Sequence, residues 1–207
     1  MFELSQEEGK FLVTLARRAV KEYLKTKKQI SVPKDVSEKL LQACGVFVTL
    51  NTIKDGQKEL RGCIGYPYPT TPLVKAVIES AISSATQDPR FYPLSMSELD
   101  SVVFEISVLT PPELIEVKNS SEYPSKIKVG KDGLIVEKGM FKGLLLPQVP
   151  VECEWNEEEF LCQCCIKAYL PPDNWLIEGT RIYKFQAIIF EEENPEGEIR
   201  RKALGGK

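Results

Sequence analysis

The chain has 207 residues, 43% of them hydrophobic and 28% charged, with a formal net charge of −3 and no histidine. That length suffices for a sizeable core, in one largish domain or two lobes, and the acidic balance argues against a broadly phosphate-hugging surface while leaving room for a small local basic site. The lack of histidine excludes Ser–His–Asp triads, Cys–His dyads and His-containing metal sites, so acid–base chemistry falls to carboxylates, Lys, Tyr, Cys or a bound cofactor.

No run approaches the roughly 18 apolar residues of a membrane span. Residues Met1 to Ser5 show neither the basic nor the apolar region of a secretory signal, so a cytoplasmic protein is the expectation. Six cysteines, Cys44, Cys63, Cys153, Cys162, Cys164 and Cys165, do not read as a secreted disulfide framework in that setting.

Ser5 with Glu8 matches a capping box. Phe11, Leu12, Leu15, Ala16, Ala19, Val20, Tyr23 and Leu24 then recur at helical spacing until a basic end at Lys25 to Lys28. Ser37 to Cys44 suits a short helix, and Val46 to Leu50 a strand. Asp55-Gly56 is hairpin-turn chemistry leading into a second strand, Lys58 to Tyr66.

That second strand contains Leu60-Arg61-Gly62-Cys63-Ile64-Gly65, a thiol, a permanent cation and two glycines within six residues. Strict alternation places Leu60, Gly62, Ile64 and Tyr66 on one face and Arg61, Cys63 and Gly65 on the other. A cation beside a thiol raises its thiolate fraction, and glycines in a strand mark close approach by a ligand or another backbone. Equally, Cys63 suits a buried structural cysteine, and Arg61 an ion-pair partner of Glu105 or Asp88.

Thr71-Pro72 then reads as the start of a helix carrying Leu73, Val74, Val77, Ile78, Ala81, Ile82 and Ala85. A helix N-terminus so soon after Cys63 would favour a thiolate or an anion there. Asp88-Pro89-Arg90-Phe91 ends that helix and could also present Asp88 and Arg90 to a ligand. Val102 to Leu109 alternates as a strand, with Glu105 on a mainly apolar face, either at a rim or paired with a cation.

Pro111-Pro112 and Asn119 to Pro124 suggest a boundary between two lobes near 111–124. Ile127 to Gly130 and Gly133 to Glu137 read as a hairpin, and Leu144 to Gln148 as core leucines followed by an amide suited to a pocket rim. Asn156 with Glu159 caps a third helix, on which Cys164 and Cys165 continue the core stripe. With no second cysteine pair at finger-like spacing and only Cys153 to serve as a fourth ligand, packing is favoured over metal binding by Cys162, Cys164 and Cys165; a disulfide involving Cys153 is the next option, and no metal or cofactor is assigned. Arg181 to Phe190 reads as a last strand and residues 191–207 as a charged, frayed tail. Without strict βαβ alternation, the fold class is α+β with antiparallel sheets and flanking helices.

These motifs, in this order, resemble the AMMECR family: Leu60 to Gly65, Asp88-Pro89-Arg90-Phe91 with Pro93-Leu94, Glu105 to Leu109, Gly130-Lys131-Asp132-Gly133-Leu134, Gly143 to Val149, and Trp155 with Phe160-Leu161 and Cys165 to Ala168. The resemblance covers residues 1–190 as one domain. It implies two lobes built on antiparallel sheets, with a cleft between them onto which Arg61 to Gly65 face. It associates the family with Memo-like and radical-SAM proteins, and likens the fold to a nucleotide- or nucleic-acid-binding one. It places Gly after Lys-Ala at the end of the third helix, where this chain has Tyr169; a glycine cap there would mean a different turn here.

The resulting expectation is an enzyme or enzyme component acting on a nucleotide, RNA or protein. Cys63, Arg61 and Glu105 form its catalytic group, with Gly62, Gly65, Asp88, Arg90 and Gln148 binding the ligand. The alternative is a non-catalytic nucleotide- or RNA-binding module or a protein-interaction adaptor.

Overall fold

The computed structural model describes residues 2–202, which divide into two compact units: one formed by residues 2–109 and Ile188–Lys202, the other by Thr110–Ala187. Both are α+β and every pairing described is antiparallel.

The first unit holds a five-stranded sheet of order β2-β1-β3-β8-β9. Its strands are β1 (Gly45–Lys54), β2 (Gln57–Tyr66), β3 (Val102–Leu109), β8 (Ala187–Glu192) and β9 (Ile199–Lys202). Alternation buries Val46, Val48 and Leu50 of β1 with Val102, Phe104, Ile106 and Val108 of β3 in one core. Helices α1 (Gln6–Thr26) and α2 (Leu73–Thr86) contribute Leu12, Val13, Ala16, Val20, Leu73, Ala76, Val77, Ala81 and Ala85 to it. The Ser5–Glu8 capping box is formed, and the short α3 (Met96–Leu99) carries another from Ser95 and Glu98. Beneath α1, Arg17 is buried among Glu192, at 2.5 Å, the carbonyls of Leu99 and Val102, and the Phe104 ring. Such a charge is tolerated inside because its donors are satisfied.

The β1–β2 hairpin turns at Asp55 and Gly56, both at positive φ, as a two-residue primed turn requires. From the turn the register runs Lys54↔Gln57 to Asn51↔Leu60, then slips by one to Leu50↔Gly62. Arg61 is the extra residue of a β-bulge.

In the second unit, β4 (Glu113–Leu114), β7 (Arg181–Phe185), β5 (Gly133–Lys138) and β6 (Phe141–Leu145) form a sheet in that order. Helix α5 (Glu157–Lys167) packs Phe160, Leu161, Cys164 and Cys165 into a core with Leu134, Val136, Trp175 and Ile182. Its capping box from Asn156 and Glu159 is formed. Two cysteines of the former Cys162–Cys165 cluster are therefore core, and Cys162 accepts a hydrogen bond from the Trp175 indole at 3.4 Å.

Several sequence expectations are corrected. The 127–137 hairpin does not form: Ile127 to Gly130 is turn, pinned by the Asp132 carboxylate accepting the Lys128 amide, and β5 pairs instead with β6. Arg181 to Phe190 is two strands of different sheets. Residues 191–202 are no frayed tail, since they complete β8 and supply β9, while 203–207 lie outside the described residues. A single boundary near 111–124 also leaves out this return of Ile188–Lys202 to the first unit.

Helix α5 ends in a Schellman turn, with the Leu170 amide on the Cys165 carbonyl and the Tyr169 amide on that of Ile166. The turn keeps the geometry a glycine would give. Tyr169 takes the left-handed conformation at φ 60°, which costs a side-chain-bearing residue about 1–2 kcal/mol.

Candidate functional site

Residues 62–65 of β2 have little freedom. A Cβ on Gly62 would collide with the Ser84 carbonyl oxygen of α2, and one on Gly65 with the Val46 carbonyl oxygen and Phe47 of β1. Both glycines therefore serve close backbone approach. The Ser84 hydroxyl accepts the Ile64 amide at 2.8 Å and donates to the Val48 carbonyl at 2.7 Å. Asp88, just past α2, accepts the Cys63 amide at 2.8 Å, and Arg90 reaches the Cys63 carbonyl at 3.4 Å.

Thus Cys63 sits beside the C-terminal end of α2. The expected proximity to that helix's N-terminus is corrected, and the negative end of the helix dipole does not favour a thiolate. The helix itself starts at Leu73, with Pro72 as its cap and no side-chain cap bond.

Cys63 is half-buried and belongs to none of the hydrophobic clusters. Thr49 of β1 donates to it at 3.3 Å. Because Thr49 pairs with Cys63 on one side and with Glu105 on the other, the three form one cross-strand row. Burial pushes the Cys63 thiol above its ordinary pKa; Thr49 and Arg90 oppose this, while Asp88 and Glu105 add to it. This direction is opposite to the one that a cation beside the thiol would give.

Arg61 is not the cation that acts on this thiol. The bulge sends its guanidinium to Glu98, at 3.1 Å, and to the Tyr92 carbonyl at 3.0 Å, with the Phe91 ring beside it. Its ion-pair partner is neither Glu105 nor Asp88. Asp88 is gripped by Arg90 through Nε at 3.0 Å and Nη2 at 2.7 Å, a two-point pair. That guanidinium, with the Cys63 and Arg90 amides, holds the Asp88 carboxyl well below the usual carboxylate range. Arg90 keeps 53% of its side chain exposed, leaving an open cationic edge next to Cys63.

Glu105 pairs with Lys202 of β9 at 2.7 Å. Lys202 also approaches Glu191 of β8, which binds Lys58 of β2 at 2.7 Å and Arg200 of β9 at 3.2 Å. With β1 and β3 lying between β2 and β8, the Lys58 contact requires the end of the hairpin to curl back over the sheet.

The first unit thus brings together Cys63, Gly62, Gly65, Asp88 and Arg90, with Glu105 two strands along the same row and Arg61 turned to Glu98. Gln148 lies in the second unit, at the start of α4 (Val149–Glu152), its Oε1 buried without a hydrogen-bond partner. Sequence reasoning missed Thr49, Ser84 and the Lys202–Glu191–Lys58 network. Thr49 is hidden because counting pairs back from Asp55-Gly56 puts it opposite Gly62, and only the bulge moves it to Cys63.

Among the described residues no three His, Cys, Asp or Glu side chains gather in a metal-holding group, and no helix is long and apolar enough to cross a membrane.

Proteins with closely similar sequences extend over the whole chain. A Pyrococcus abyssi protein, PYRAB00100, is 59% identical over 205 residues, covering 99% of this chain and 100% of its own. MJ0810 of Methanocaldococcus jannaschii is 54% identical, covering 97% and 98%. The crystal structure of the uncharacterized protein PH0010 from Pyrococcus horikoshii superposes with a TM-score of 0.85 at 60% identity, covering 97% of this chain and 99% of that one. The AMMECR1 family model matches residues 13–190, so it takes in Cys63, its clamp and the Glu105 row together: the chain belongs to the AMMECR1 family.

Proposed function

We propose that Cys63 is the working group of a thiol-dependent enzyme or enzyme component. One observation carries this reading: the backbone on both sides of Cys63 is fixed by Asp88, Arg90 and Ser84, yet the residue is only half-buried and belongs to no hydrophobic cluster. Rigid presentation of a reactive group by residues that do not themselves react is what positioning a nucleophile requires.

The thiol rests protonated, so it becomes a nucleophile only when a substrate is in place. Glu105 lies in the same row on the far side of Thr49, so it takes the proton through one intervening water; Lys202, its ion-pair partner, holds the carboxylate ready to accept. The open edge of Arg90 receives an anionic group, a feature shared by nucleotides, RNA and many protein segments. The raised thiol pKa also favours a second reading, in which the same face binds such a ligand without chemistry.

Mass mapping of adducts after incubation with host extract under non-reducing conditions separates the two. A thiol enzyme accumulates an adduct on Cys63, reduced in Glu105→Gln. A binding module shows none there, or labels Cys63 no more than the exposed Cys153.

A further inference from the structure

In the second unit, one face of α5 and its two flanks form a depression of about 380 Å³, lined by Leu145, Trp155, Gln163, Ile166, Lys167 and Tyr169. Gln163, Ile166 and Lys167 are spaced i, i+3 and i+4, so they share that face. Trp155 precedes the helix cap and Tyr169 follows the helix end, so aromatic rings flank it on both sides. The size falls at the lower end of the ~300–1,000 Å³ of small-molecule sites.

Three features set this depression apart from ordinary surface. Tyr169 holds a left-handed backbone conformation that glycine would adopt freely, yet the residue is 89% exposed and packs no core. Lys167, the one charged lining residue, makes no ion pair or side-chain hydrogen bond among the described residues, and no carboxylate lines the depression. The Gln163 amide, the Trp155 indole N–H and the Tyr169 hydroxyl are likewise without partners among the described residues. Apolar walls, one exposed and one half-buried aromatic ring, an amide able both to donate and accept, and one uncompensated cation match a flat heteroaromatic ring carrying an anionic arm.

We propose that this depression is a binding site for a small heteroaromatic anion of the nucleoside monophosphate class. The ring stacks on Tyr169, Gln163 meets its polar edge, and Lys167 receives the phosphate. The site is independent of Cys63 and stands or falls separately from the thiol reading.

Trp155 lines the site while Trp175 lies in the core, 7% exposed, so intrinsic fluorescence reports on occupancy. Titration with AMP, adenosine and inorganic phosphate tests the assignment. AMP quenches Trp155 more tightly than adenosine, and inorganic phosphate binds weakest. Tyr169→Gly, a substitution that relieves the backbone, weakens AMP at least about tenfold, equivalent to ~1.4 kcal/mol and within the range of base–aromatic stacking. Lys167→Gln brings AMP down to the affinity of adenosine. Absence of quenching by AMP up to about 1 mM overturns the proposal, as does unchanged AMP binding in both variants.

Discussion

Asp88 holds Cys63 by its backbone and makes no hydrogen bond to the sulfur: the carboxylate accepts the Cys63 amide at 2.8 Å, while Arg90 occupies the same carboxylate at 2.7 Å. The residue flanking the thiol is thus a clamp, fully ionised and fully engaged. Because Arg90 depresses the Asp88 pKa in the folded state, the stability it confers is present above the unfolded value of ~3.9 and is lost as pH falls through the lower folded value. Asp88→Asn costs on the order of 2 kcal/mol in urea unfolding at neutral pH, counting mainly the buried hydrogen bonds because the exposed side of Arg90 is screened by solvent. The difference from wild type shrinks as the pH is lowered below about 4.

The thiol itself titrates in the other direction. Alkylation of Cys63 by iodoacetamide, followed by peptide mass mapping, rises with pH to a midpoint above the ordinary ~8.5. Thr49→Val moves that midpoint higher by removing a donor to the sulfur, and Glu105→Gln lowers it by removing a negative charge. A midpoint at or below the ordinary value contradicts the protonated resting state.

Gly62 tests the packing half of the motif. Gly62→Ala drives a methyl into the backbone of Ser84, which cannot swing away as a side-chain tip would. The expected loss is about 3 kcal/mol or more, at the upper end of overpacking costs, and denaturant unfolding measures it.

The buried thiols predict an alkaline limit. Burial holds Cys44 and Cys165 to about 11 and Cys164 to about 12. Folded pKa values raised above the unfolded ~8.5 stabilise fully below that pH, and the contribution disappears as pH climbs through the folded values. Thermal unfolding followed from pH 8.5 to about 11 shows a falling midpoint. Cys44→Ala, though less stable at neutrality from its cavity, has the shallower alkaline fall.

Local signals in the sequence were sufficient for much of this. The capping boxes at Ser5 and Asn156 and the Asp55-Gly56 turn act within a few residues, and each formed as read. What escaped depends on contacts distant in sequence or on a single slip of register. The bulge at Arg61 overrides the alternation that would set Arg61 beside Cys63, and nothing in the local residue types announces it. The partners of the thiol come from the far end of α2, and β9, which supplies Lys202 to Glu105, hides in a segment whose charge resembles a tail. Tyr169 shows the converse: tertiary context imposes a glycine-like backbone on a residue that disfavours it.

On the proposed reading, the glycines of the motif serve the fold while its cysteine serves a reaction. Replacing the native gene with one encoding Cys63→Ala, with protein level and growth followed in the same strain, tests it most directly. The variant is expected to accumulate to the wild-type level, losing less than about 1 kcal/mol of stability, and the strain to behave as a deletion. A strain that grows as wild type, or a variant that fails to accumulate, would place Cys63 among the structural residues.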